Sequence, residues 1–269
     1  MKLALAIAGE HALPSAFVVF RGFAESMRKA AALGYDGVEL ALKHPDEIDR
    51  HQLGGLLAKH RLEVSCISSG QVYASLGYAF TDADQRRRSE LKKIFTGLVD
   101  LAADYGHMVN IGRVRGPVKE KTRDEADRLF IDLAGEICAY AEPKGVTLIL
   151  EPVNRYEIDY VNSVEEGVRL LTKAGIHNLK LMPDVFHMNI EDAKIGATLE
   201  KYIDLIGYVH LADSNRHAPG DGHLDFDDVF SALKRAKYDG WCSVEILPFP
   251  DPDTAAQRAI RYVEKYFKA

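Results

Sequence analysis

The chain has 269 residues, 47% of them apolar and 28% charged, with a formal net charge of −6. That composition excludes a disordered or membrane-embedded protein. The length suits one barrel domain of about 250 residues, so a single domain over residues 1–269 is expected. An acidic balance argues against nucleic acid as a partner, because binding it relies on clustered Lys and Arg to displace counterions. The one dense basic run, Arg86-Arg87-Arg88 with Lys92 and Lys93, falls in a helical pattern and reads as a solvated face.

In chain order, short runs rich in Val, Ile and Leu alternate with longer segments of helical period. The first strand is Lys2 to Ala8. Glu10 and His11 break its apolar stretch too soon for a signal peptide. The helix Gly22 to Leu33 then puts Phe23, Met27, Ala30, Ala31 and Leu33 on one face before Gly34 closes it. Gly37 to Leu40 is the second strand, followed by a helix near Asp46 to His60. Glu63 to Ser68 is the third, followed by a helix from about Asp84 to Tyr105. Met108 to Ile111 is the fourth, with a helix from about Arg123 to Pro143. The remaining strands are Thr147 to Leu150, Leu179 to Met182, Ile206 to Val209 and Trp241 to Val244. Helices fall near Val164 to Ala174, Ala193 to Leu205, Asp227 to Ala236 and Thr254 to Phe267.

Thr122 before Glu125 and Ser163 before Glu166 have the spacing of capping boxes. Eight such repeats without a linker predict a closed (β/α)₈ TIM barrel. Only Gly9 follows the first strand, which weighs against a dinucleotide-binding sheet. No run approaches the roughly 18 apolar residues of a membrane span. Cys66, Cys138 and Cys242 sit in apolar patterns without a close partner, so a reducing, cytoplasmic setting is expected.

Glu151, Asp184, His210 and Glu245 each end one of the last four strands, at separations of 33, 26 and 35 residues. Those are the lengths of single β/α repeats, and a barrel would gather all four at the end where its active sites lie. One charged residue at a strand end is as readily a structural ion-pair partner. Four on consecutive strands read as one metal site. Three carboxylates and an imidazole are a hard, oxygen-rich set that suits Mn²⁺, Mg²⁺ or Co²⁺ better than structural Zn²⁺.

Three segments carry a resemblance: Glu151-Pro152-Val153-Asn154-Arg155-Tyr156-Glu157, Asp184-Val185-Phe186-His187-Met188-Asn189-Ile190-Glu191, and His210-Leu211-Ala212-Asp213-Ser214-Asn215-Arg216. With Val244-Glu245 they resemble the D-tagatose 3-epimerase family of xylose isomerase-like barrels. Within it, Ser69-Gly70-Gln71-Val72-Tyr73 and Ile111-Gly112-Arg113-Val114-Arg115-Gly116 are most similar to the branch that interconverts 5-keto-L-gluconate and D-tagaturonate. The resemblance implies that Glu151, Asp184, His210 and Glu245 hold a divalent metal, usually Mn²⁺, and that Glu151 and Glu245 double as an acid/base pair. It also implies that Glu157, His187 and Arg216 hold the oxygens at the carbonyl end of a ketose. The partner would be a small sugar or sugar acid, and a homodimer or tetramer is compatible with it.

The chemistry asks for the same residue types. Epimerising a carbon beside a ketone removes a weakly acidic proton and returns one to the opposite face, so two proton carriers are needed. A metal at the carbonyl stabilises the enediolate. Arg113 and Arg115, just past the fourth strand, are candidates for pairing with a substrate carboxylate, Arg115 ahead of Arg113. Glu39 lines the site or caps a loop. Asp213 orients Arg216 or bonds the loop, and His223 belongs to a second metal or orders its turn. Close rivals are a neutral ketohexose 3-epimerase, an aldose–ketose isomerase and an inosose dehydratase. From other classes come a zinc-dependent DNA-repair endonuclease, whose extra histidines at the third and fourth strand ends are missing here, where the chain reads Ser68-Ser69-Gly70 and Ile111-Gly112-Arg113, and a non-catalytic sugar-binding barrel.

Overall fold

Alternation along eight strands decides the architecture. The computed structural model describes residues 1–267, and the last two positions of the expected 1–269 domain lie outside the described residues. The strands are β1 (Lys2–Ala8), β2 (Phe20–Arg21), β3 (Gly37–Ala41), β4 (Glu63–Ser68), β5 (Met108–Ile111), β6 (Thr147–Leu150), β7 (Leu179–Leu181), β8 (Tyr208–Leu211) and β9 (Trp241–Val244). All pairings are parallel, in the order β7-β6-β5-β4-β3-β1-β9-β8, with the two-residue β2 added beside the end of β1. Single bridges, Leu181 to Ile206 and Asp184 to His210, join β7 to β8 and close the ring. The seam is short because Pro183 has no N–H to give, although its carbonyl accepts from His210 N at 2.9 Å. The chain is therefore a (β/α)₈ TIM barrel.

The helices surround it: α1 (Phe23–Leu33), α2 (Arg50–His60), α3 (Gly70–Leu76), α4 (Gln85–Asp104), α5 (Arg123–Ala141), α6 (Val164–Ala174), α7 (Val185–Glu191), α8 (Ile195–Lys201), α9 (Phe226–Arg235) and α10 (Pro252–Phe267). Among the described residues no helix is long and apolar enough to cross a membrane. Side chains alternate across a strand. Leu148, Leu150, Val209, Leu211, Cys242 and Val244 accordingly join the apolar layer between strands and helices. Ile149, Met182 and Tyr208 form a separate buried cluster with Cys66. Two residues beyond Ile149, Met182, Tyr208 and Ser243, the same inward face presents Glu151, Asp184, His210 and Glu245.

Several boundaries differ from expectation for local reasons. The helix expected over Ala193–Leu205 is interrupted, with α8 ending at Lys201 and a 3₁₀ turn at Ile203–Leu205. The strand expected at Ile206–Val209 is displaced to Tyr208–Leu211, so His210 lies inside it. Helix α7 is an addition: Asp184 accepts from Phe186 N at 2.9 Å and starts it. Helix α3 is another, ended by Gly77 at φ 68°. Before α2, Asp49 rather than Asp46 is the cap, accepting from Gln52 N at 2.8 Å. Thr122 and Glu125 form both halves of their capping box. Ser163 caps Glu166 N, but the Glu166 carboxylate turns to Asn162 N, one residue earlier than a box requires.

Candidate active site

Four strand ends deliver the candidate ligands. The backbone N–H of Glu151 is held by Ile111 O at 3.1 Å and that of Glu245 by Leu211 O at 3.2 Å, so both carboxylates start from the sheet rather than from a free loop. One ligand atom from each of Glu151, Asp184, His210 and Glu245 lies within 4.8 Å of the others. His210 Nδ1 is 3.4 Å from Glu151 Oε1, 3.6 Å from Glu245 Oε2 and 3.9 Å from Asp184 Oδ2. Gly112 makes room: a Cβ there would stand 2.9 Å from Glu151 Oε2.

The far side of the imidazole decides what His210 offers. Its Nε2 is 2.9 Å from Oε2 of Glu39, a fully buried carboxylate on β3 that also accepts from Tyr208 OH at 3.1 Å. A carboxylate accepts only, so Nε2 carries a proton, and once the ring gives up its second proton the Nδ1 lone pair faces the three acids. That buried nitrogen has no hydrogen-bond partner. A buried lone pair grouped with three carboxylates fits a hard divalent cation, held in the manner of a carboxylate–histidine–metal relay. Glu39 therefore stands behind the candidate ligands and orients one of them.

The metal-free cluster is electrostatically uneven. Burial pushes the Glu245 carboxyl up to about 8, against the pull of His210 and Arg216 and with the push of Glu151. Glu151 is buried too, but the close ring of His210 and its charge outweigh that and hold it below the usual carboxylate range. Burial opposes charge on His210 as well, yet Glu39 and Glu245 raise it well above an ordinary imidazole. His187 moves the other way, lowered chiefly by burial.

Glu157, His187 and Arg216 line the same cleft as Glu151 and Glu245. Arg216 adopts a left-handed φ of 62°, a conformation that costs roughly 1–3 kcal/mol in a non-glycine residue. Its guanidinium bonds Asp184 and Glu245 and lies over the rings of Phe17 and Phe186, at 4.6 and 4.8 Å from their centres. Phe17, Phe186, Asn110 and Asn154 were not singled out from sequence, since aromatic and amide side chains carry no spacing signal of their own. Asn110 Nδ2 donates to Glu151 Oε2 at 3.4 Å.

Arg115 is not brought to the cleft. It is fully buried and donates to Tyr160 O, Gly112 O and Val161 O at 2.7, 3.0 and 3.0 Å. The expected carboxylate contact is therefore corrected to a structural clamp between two loops. Arg115→Met should cost about 1–3 kcal/mol for each carbonyl left unsatisfied, read by denaturant unfolding, without changing substrate preference. Arg113, by contrast, does line the cleft. Asp213 takes the loop role: it accepts from Ser214, Gly220 and Leu224 N–H groups. Gly222 is wrapped so closely that a Cβ would lie 2.1 Å from Asp213 Oδ1. His223 bonds Ser214 Oγ at 2.8 Å and orders the same turn.

Comparison with known proteins gives this geometry a lineage. A family model described as the xylose isomerase-like TIM barrel matches residues 27–266. The chain is 30% identical over 230 residues to an L-ribulose 3-epimerase of Methylomonas sp. (strain DH-1), covering 81% of this chain and 76% of that protein. It is 29% identical over 170 residues to 3-dehydro-D-guloside 4-epimerase of Escherichia coli (strain K12), covering 60% and 65%. The crystal structure of D-psicose 3-epimerase with D-tagatose from Clostridium cellulolyticum H10 matches in fold with a TM-score of 0.84, at 22% identity over 100% of both chains. The chain belongs to the xylose isomerase-like TIM barrel family. Its named relatives there are carbohydrate epimerases.

Proposed function

We propose that this protein is a divalent-metal-dependent ketose or ketouronate 3-epimerase, with 5-keto-L-gluconate and D-tagaturonate as its substrate pair. One observation carries the reading. Glu151 and Glu245 come from β6 and β9, with two strands between them, and face one cleft with Glu157, His187 and Arg216. Glu151, held ionised, is suited to take the proton from the carbon beside the ketone. Glu245, from β9, is placed to return one, and the roles exchange in the reverse direction. Glu151, Asp184, His210 and Glu245 would hold the cation, for which the hard donor set favours Mn²⁺. When bound, it supplies Lewis acidity at the ketone end of the substrate. Arg216, bonded to Asp184 and Glu245, stands beside them with its guanidinium over the rings of Phe17 and Phe186. Three cysteines buried without a disulfide support a cytoplasmic setting.

Arg113 takes over the carboxylate-reading role. Its nearest acid contact in the cleft is Glu157, 3.7 Å away, long enough to leave donors for a ligand. Arg113→Met should weaken binding of the keto acid by about 1.5–3 kcal/mol, the range for hydrogen bonds to a charged group, while neutral ketoses lose far less. The measurement is kcat/KM for 5-keto-L-gluconate relative to D-tagatose or D-psicose. An unchanged ratio removes Arg113 from this role, and a wild type that prefers neutral ketoses assigns the protein to the ketohexose branch. Turnover in D₂O followed by NMR tests the reaction class: inverted C3 carrying deuterium is expected. An aldose product or loss of water would replace epimerisation with isomerisation or dehydration.

A further inference from the structure

His187 has two ring nitrogens with different surroundings, and a neighbouring amide decides between them. Asn154 follows β6 in the loop and is only 2% exposed. Its Oδ1 accepts from Tyr156 N at 3.0 Å, two residues on, which is an Asx turn. Its backbone carbonyl accepts from Glu157 N and Ile158 N at 3.1 and 3.3 Å, so the turn is held from both ends. With the oxygen committed to Tyr156, the other end of the amide is the NH₂ group. That group lies 2.8 Å from His187 Nδ1 and 3.3 Å from Glu157 Oε1. A flipped amide would set an oxygen against the Glu157 carboxylate and an NH₂ against the Tyr156 N–H. The Tyr156 and Glu157 contacts both require this orientation, independently of the imidazole.

An NH₂ group can only donate, so His187 Nδ1 must accept with its lone pair. We infer that Asn154 is a positioning residue that fixes His187 as the neutral Nε2–H tautomer, a hydrogen-bond donor aimed at the reacting oxygens. Nε2 is 3.8 Å from Glu151 Oε1 and 3.9 Å from Asp184 Oδ2, both beyond hydrogen-bond reach, in a cleft that His187 itself lines. A neutral N–H there stabilises an oxygen that gains negative charge, and it gives up no proton in doing so. What the donor meets rests on the epimerase reading; the tautomer does not.

The test uses ¹⁵N-histidine-labelled, Mg²⁺-loaded protein in long-range ¹H–¹⁵N spectra, with the His187 signals assigned by their loss in His187→Gln. The wild type should show a protonated Nε2 and a bare Nδ1. Asn154→Asp replaces the donor with an acceptor, so its His187 should carry a proton on Nδ1. Its kcat and kcat/KM for the ketose should fall together by about 10²–10³-fold, as for loss of a donor used in the transition state. A wild-type ring protonated on Nδ1 overturns the inference even if the variant does not fold. An Asn154→Asp protein with the reversed ring and undiminished kcat overturns the role in turnover. A wild type with the expected tautomer and no action on any ketose keeps the tautomer and overturns the epimerase reading instead.

Discussion

Glu245→Gln is expected to lower kcat by about 10²–10⁴-fold, the contribution typical of a positioned acid or base. Glutamine keeps the length of the side chain and one oxygen that can still face a cation, and it loses the negative charge and the capacity to carry a proton. The effect should be large because the reaction needs two proton carriers and Glu245 is one of the pair. Since Glu245 also sits 3.6 Å from His210 Nδ1, the metal content of the variant must be measured beside its rate. A protein with full metal occupancy and near-normal turnover would exclude Glu245 from proton transfer. Solvent deuterium exchange at C3 of a bound ketose separates loss of proton transfer from loss of binding.

Removal of the metal is expected to abolish turnover, with Mn²⁺ restoring it after chelation. Arg216 is the cation already in place, and it is committed to Asp184 and Glu245. A charge developing on a substrate oxygen therefore needs another counter-charge. The same electrostatics set the pH dependence of metal uptake. Metal-free His210 and Glu245 both have raised proton affinity, so near pH 7 each holds a proton that the cation must displace. Affinity for Mn²⁺ should rise with pH and level off once both groups are deprotonated. Titration calorimetry at pH 7 in buffers of different ionisation heat should register proton release. Full activity in metal-stripped protein would overturn the mechanism, and pH-independent metal affinity would remove the proton competition from it.

The spacing of Glu151, Asp184, His210 and Glu245 was enough to place them together, because a β/α repeat has a nearly fixed length and every strand end in a barrel points the same way. Strand shifts such as that of β8 did not disturb this, since the inward face is set by period two and not by where a strand begins. Arg115 shows where such reasoning stops. Arg113 and Arg115 sit in the same 3₁₀ turn, two residues apart, and nothing in their chemistry says which faces the cleft. The turn sends Arg113 toward Glu157 and buries Arg115 against the carbonyls of Tyr160 and Val161, some 45 residues away.

By itself, then, the sequence determined the barrel, its strand ends and the four candidate ligands, all of which follow from local periodicity and repeat length. The tertiary structure alone decided the partners that tune them. Glu39 reaches His210 across 171 positions and Asn154 reaches His187 across 33, through hydrogen bonds whose donors and acceptors meet only when the ring of strands is closed. Hydrogen bonds of that kind depend on direction and on tenths of an ångström, whereas periodicity records only which face of a strand or helix a residue occupies.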